Sequence, residues 1–120
     1  MDWSKLVNLT PHSIVIYTKD DKITISASGM VFRLVEEEIL LETKDGVDIV
    51  QKKYSLPVDW GKYLSNENEG AVYVVSLVIL SHLAKTKESL KYIFLAPDTG
   101  RRAVRDEEGK IIGVRGFVTL

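Results

Sequence analysis

The chain has 120 residues, 45% of them apolar, with 16 Lys and Arg against 17 Asp and Glu for a formal net charge of −1. That length and composition predict one ordered domain spanning residues 1–120, with enough apolar material for a modest core. The near-neutral balance disfavours nucleic-acid or membrane-surface binding as a general mode, and the absence of cysteine excludes disulfides and thiolate metal sites.

No stretch reaches the roughly 18 apolar residues of a membrane span; the longest apolar-rich run, Ala71 to Ala84, is broken by Ser76, Ser81 and His82. The start, Met1-Asp2-Trp3-Ser4-Lys5, lacks the basic-then-apolar layout of a secretory signal. The expected location is cytoplasmic, in a cell or a virus-infected host. Abundant Lys and Glu without Cys would also suit a thermophile.

The first half reads as antiparallel strands. Leu6 to Leu9 forms a short one, interrupted at Thr10-Pro11 because proline lacks an N–H and restricts its predecessor. Ser13 to Tyr17 and Ile23 to Ser26 are rich in β-branched residues and flank a hairpin loop at Lys19 to Lys22. Ser28-Gly29 turns the chain, and Val31 to Val35 reads as a further strand. Glu36-Glu37-Glu38 opens an acidic, solvated stretch. Ile39 to Glu42 and Val47 to Val50 enclose Asp45-Gly46, a hairpin signal. Ser55 to Gly70 is a long connection, with one helical turn expected over Asp59 to Leu64.

The second half changes character. Val72 to Val75 and Tyr92 to Leu95 are continuous apolar runs, the pattern of strands buried on both faces. Between them Leu77, Leu80, Leu83 and Ala84 keep helical spacing, so the segment predicts a βαβ unit with a helix over Ser76 to Lys87. Ala103 to Arg105 and Ile111 to Val118 then form a hairpin across Glu107 to Lys110. Gly109, Gly113 and Gly116 mark turns or bulges within it. The fold class expected is α/β in the broad sense, strand-rich α+β: a mixed sheet with antiparallel hairpins, one βαβ unit and few helices.

In a parallel unit, ligands gather at the carboxyl ends of the strands. The two ends here are Ser76 and Pro97-Asp98-Thr99-Gly100. A binding corner for an anionic small molecule or nucleotide is expected from Ser76, Asp98, Thr99, Gly100, Arg101 and Arg102, with His12, Arg33 and Thr10 completing the wall. The same residues also have plain structural uses. Ser76 is a good N-cap, and Pro-Asp-Thr-Gly is good turn chemistry. Asp98 repels a phosphate, and suits instead a hydroxyl, a base N–H, a metal, Arg101 or Arg33.

His12, beside Thr10 and Ser13, and Asp98 are the candidates for acid or base work. The structural alternative for His12 is a histidine at a strand start held by backbone. His82 reads as a surface or packing residue on the helix. Two distant histidines without clustered carboxylates make no metal site. Phosphate-loop, dinucleotide and serine-elbow motifs are absent, and a Ser76–His12–Asp98 triad can be drawn but has no spacing to support it.

Asn8-Leu9-Thr10-Pro11-His12, Val75-Ser76 and Ala96-Pro97-Asp98-Thr99-Gly100, with Val104-Arg105-Asp106, Gly109 and Ile112-Gly113-Val114, carry a resemblance. In these the chain resembles a group of small uncharacterised proteins of phages, prophages, bacteria and archaea, archaeal viruses included. The resemblance implies a viral or mobile-element origin and brings no mechanism or cofactor with it. Three functions stand: a small binding protein with an anion or nucleotide pocket; a phosphate-ester or nucleotide hydrolase using His12 or Asp98; and a homodimeric interaction module, with Phe117 to Leu120 as a pairing edge.

Overall fold

The computed structural model describes residues 3–64 and 70–120. Residues 65–69 of the expected long connection therefore lie outside the description. The strands are β1 (Leu6–Asn8), β2 (Ile14–Tyr17), β3 (Lys22–Ile25), β4 (Val35–Lys44), β5 (Val47–Ser55), β6 (Val72–Val74), β7 (Ile93–Pro97), β8 (Ala103–Arg105), β9 (Ile111–Val114) and β10 (Phe117–Thr119). One α-helix, α1 (Leu77–Leu83), joins β6 to β7. The fold is strand-rich α+β with mixed sheets, as the sequence predicts.

The first sheet runs β1-β6-β7-β10. β1, β6 and β7 are parallel, with Leu6 opposite Val72 and Val72 opposite Ile93, and β10 closes the edge antiparallel to β7. Side-chain alternation in these strands supplies two cores at once. Tyr73, Val75, Phe94 and Ala96 point to one face, where Ile79, Leu80 and Leu83 of α1 cover them together with Leu9, Phe32 and Leu64. Val72, Val74 and Leu95 point to the other, against Leu6 and Ile16. Burial on both faces is why these strands read as unbroken apolar runs, and each fully buried side chain of this size is worth roughly 1.5–3 kcal/mol.

The second sheet runs β3-β2-β9-β8. β2–β3 and β8–β9 are the two expected hairpins, and a short parallel pairing, Ile16 opposite Val114, joins them. Gly113 makes that junction possible. A Cβ there would lie 2.5 Å from the Tyr17 ring and 2.7 Å from the Val15 carbonyl oxygen.

Four expectations need correction. The first half is not purely antiparallel, since β1 pairs parallel with β6 from the second half. Val31 to Leu34 is not a strand; it is irregular chain that buries Phe32 beside Leu9. The helix ends at Leu83 rather than Lys87, followed by a separate 3-10 turn at Glu88–Lys91. Ile111 to Val118 is two strands, because the chain leaves the second sheet after Val114 and enters the first at Phe117.

The largest departure is β4–β5. Asp45 and Gly46 do form the tight turn, both at positive φ (54° and 77°), but the ribbon is much longer than Ile39 to Val50. It pairs from Val35–Ser55 to Lys44–Val47, with a bulge between Leu40 and Glu42. Every residue of both strands is exposed. The ribbon is therefore an arm, consistent with a radius of gyration of 17.0 Å where a compact 120-residue chain gives roughly 14 Å. Among the described residues no helix is long and apolar enough to cross a membrane.

Gly113→Ala is expected to destabilise the protein by about 1–3 kcal/mol, because backbone of β2 stands where the new methyl would go. A urea unfolding curve should show the midpoint falling without a change in slope. An unchanged midpoint would mean that β2 and β9 can separate freely.

Candidate functional site

β1 ends in a polar knot. Leu6 and Asn8 alternate onto the same face, but Asn8 is an amide 1% exposed in an apolar environment. Burial demands partners for all its polar atoms, and it has them. Its Nδ2 donates to the carbonyls of His12 (2.8 Å) and Ile25 (3.2 Å). Its Oδ1 accepts from the Thr10 amide (3.0 Å) and lies 2.6 Å from the Thr10 hydroxyl. The turn Leu9 to His12 is thereby folded back on β1, and β1 is tied to the end of β3 in the other sheet.

The free edge of β1 is covered next. The amide of Ser28 donates to Asn8 O (3.0 Å) and that of Phe32 to Leu9 O (2.9 Å), with Gly29 turning at φ +90° between them. Phe32 is locked by stacking on Tyr63 at 4.7 Å between centroids. The chain is thus held where Arg33 must emerge beside Thr10, and Leu34 leads directly into the arm.

These constraints leave an open groove of about 630 Å³. Leu9, Thr10 and Pro11 form one wall, Val31 to Leu34 a second, and Ser76, Val78 and Ile79 at the start of α1 a third. Glu36 and Tyr54 from the base of the arm complete the rim. The volume is in the range of small-ligand sites, and the lining is mostly apolar with a few convergent polar groups, as such sites are.

Three expected site residues, Thr10, Arg33 and Ser76, meet here. Ser76 caps α1 by accepting from the Ile79 amide at 3.4 Å, the structural role foreseen for it, worth about 1 kcal/mol. Its hydroxyl proton remains able to donate outward. Arg33 is exposed and makes no ion pair among the described residues. Glu36 is not its partner: Glu36 Oε1 lies 3.2 Å from Lys52 Nζ and accepts from the Tyr54 hydroxyl at 3.0 Å. Those hydrogen bonds hold the Glu36 carboxyl below its ordinary value, against a small opposing effect of burial. The groove is therefore lined by one uncommitted cation and one carboxylate already neutralised by its neighbours.

The other expected residues do not line it. Although β6 and β7 are adjacent, Asp98, Thr99, Gly100, Arg101 and Arg102 form a self-contained turn. Asp98 Oδ1 accepts from the Gly100 amide (3.1 Å) and Oδ2 from Arg102 (3.0 Å). Its partner is thus Arg102, not Arg101 or Arg33. Arg102 in turn lies over Gly116, leaving no room for a Cβ there. Arg101 and Thr99 are exposed. His12 is exposed, stands outside the groove lining, and enters the knot through its carbonyl rather than its ring. Among the described residues no three His, Asp or Glu side chains converge as metal ligands would.

Sequence reasoning missed Asn8, Glu36 and Tyr54 as site-building residues. Asn8 left a usable signal, an amide at an inward position of a strand. Glu36 and Tyr54 left none, since their reach depends on the arm's pairing. Comparison with family models, curated proteins and solved structures gives no match to this chain.

Two outcomes follow. Asn8→Ala takes the acceptor from the Thr10 amide and a donor from the Ile25 and His12 carbonyls, the last of which keeps the Thr10 hydroxyl at 3.0 Å, and is expected to cost about 1–3 kcal/mol by urea unfolding; a loss under about 0.5 kcal/mol would show that water replaces the amide freely. Asp98 has its carboxyl pulled below the ordinary value, chiefly by the hydrogen bond from Arg102 and partly offset by burial. Its stabilising contribution is therefore present above the unfolded-state value and lost as pH falls through the lowered folded value. Carboxyl NMR titration should find the Asp98 midpoint below that of a free aspartate, and Arg102→Ala should raise it.

Proposed function

We propose that the chain is a small binding protein whose ligand is an organic anion of nucleotide type, held in the groove between Thr10, Arg33 and Ser76. The observation that carries this reading is the unpaired Arg33 at the mouth of a mostly apolar groove. A flat apolar moiety would lie against Leu9, Val31, Val78 and Ile79. Its phosphate or carboxylate would be taken by the Arg33 guanidinium, a fork suited to both. Thr10 and Ser76 would orient it through their hydroxyls. Tyr54 would reach it from the arm.

The Asp98 turn has no part in this site. Its oxygens are occupied internally, and the neutralising Arg102 removes the need for a ligand there. A cytoplasmic location, and the viral or mobile-element origin that the sequence resemblance implies, would suit such a role: a virus gains from sequestering a signalling nucleotide of its host.

Isothermal titration against a panel of mono-, di- and cyclic nucleotides tests the reading. At least one is expected to bind, and Arg33→Ala is expected to weaken it about 10- to 100-fold, the loss of one hydrogen bond to a charged group. Arg102→Ala is expected to leave the affinity unchanged. No binding across the panel, or equal binding by the Arg33 variant, would overturn it.

A further inference from the structure

We propose that two copies of this chain join edge to edge through β5, forming a four-stranded ribbon β4-β5-β5-β4 about a twofold axis at Val50. This is independent of the groove reading, which concerns the base of the arm rather than its outer half.

The arm is a two-stranded ribbon with no covering layer, and such a ribbon is marginally stable in water by itself. It nevertheless displays Ile39, Leu40, Leu41, Val47, Ile49 and Val50, the exposure reaching 61% at Leu41 and 60% at Val47. Apolar side chains concentrated on one projecting element mark a contact surface.

Its two edges are unlike. β4 carries the Glu36-Glu37-Glu38 run and the bulge between Leu40 and Glu42, both devices that discourage edge pairing. β5 runs from Val47 to Ser55 without proline, glycine or an extra residue. It pairs with β4 alone, so its outer edge is open among the described residues.

Charge selects the partner and the register. Two antiparallel β5 strands related by a twofold axis normal to the sheet must place residues of equal parity opposite one another. Centring the axis on Val50 sets Lys52 opposite the Asp48 of the second copy, twice, with Val50 beside Val50 and Gln51 beside Ile49. Moving the axis to Gln51 sets Lys52 against Val50 and Lys53 against Ile49. Centring on Lys52 or Asp48 opposes like charges. Among the charges carried by β5 itself, only the Val50 register sets unlike charges opposite one another, and it is self-complementary, so the occupant it fits is a second copy of the chain. Lys52 already lies 3.2 Å from Glu36 and 3.8 Å from Glu38 within its own arm. The seam would extend that alternation of sign from β4 and β5 of one copy onto β5 of the other, where Thr43 on the last strand donates to Asp48. Val50 would meet its counterpart at the axis, with Leu40, its partner across the arm, one strand further out on either side.

Sedimentation of the full chain tests this, with a dimer expected at about 100 µM. Asp48→Lys and Lys52→Glu each put like charges opposite one another and are expected to raise the dissociation constant about tenfold or more. Mixed in equal amounts, the two variants are expected to recover a heterodimer, because each junction again opposes unlike charges. Val50→Lys, which leaves the arm's own ion pairs intact, gives a second route to the monomer, with circular dichroism reporting that the body stays folded. A wild-type chain that remains monomeric, variants that dimerise as wild type does, or a mixture that fails to recover the dimer would each overturn the proposal.

Discussion

Asn8 sits where the two sheets meet, and its amide answers the Thr10 amide, the Thr10 hydroxyl and the carbonyls of His12 and Ile25. An apolar residue of the same size would fill the space but leave the Thr10 amide without its acceptor and take a donor from the Ile25 and His12 carbonyls, at a cost in a partly buried site. The amide therefore does more than occupy a core position. It fixes the return of the chain after β1, sets β3 at a definite height against the first sheet, and leaves the β1 edge to be covered by Ser28 to Phe32. From that covering segment emerge Arg33 and the arm. The groove, its cation and the projecting ribbon are all placed by a knot at one end of a three-residue strand.

What the sequence disclosed follows from the number of faces each segment buries. β6 and β7 are covered on both sides by α1 and by the second sheet, so composition alone betrays them. Asp45-Gly46 is legible because few residue pairs tolerate two positive φ values in succession. The arm's length is not legible. Neither of its faces is buried, so no alternation of polar and apolar residues exists to be read, and Glu36 to Glu38 and Lys52-Lys53 look like loop charges until pairing sets them opposite one another. Val31 to Leu34 misleads for the converse reason: its apolar content serves the buried Phe32 and the half-buried Leu34 beside it in the core, rather than a strand.

The site was half visible for a related reason. Local chemistry marked Thr10, Arg33 and Ser76, and also marked Asp98 and its neighbours, with equal justice. Strand order decides between them, and strand order is a long-range property. Because β1 takes the place beside β6, Ser76 opens toward Thr10 on one side, while the end of β7 is occupied by a turn in which Asp98 is answered by the Gly100 amide and Arg102. The arm adds Glu36 and Tyr54 to the rim, so the same ion pairs that hold its base together also leave Arg33 as the one unanswered charge of the groove.

The pairing of β1 with β6 carries a kinetic consequence. These strands come from opposite halves of the chain, so the central sheet can close only after a long loop has been paid for in entropy, which makes it a slow event. The β4–β5 ribbon needs only its two-residue turn and neighbouring strands, and hairpins of this kind form in about microseconds. During synthesis, too, the arm is complete before β6 exists. The newborn chain thus exposes the apolar side chains of the arm before the central sheet can form, and the glutamates of β4 lie among them where charges of one sign oppose aggregation.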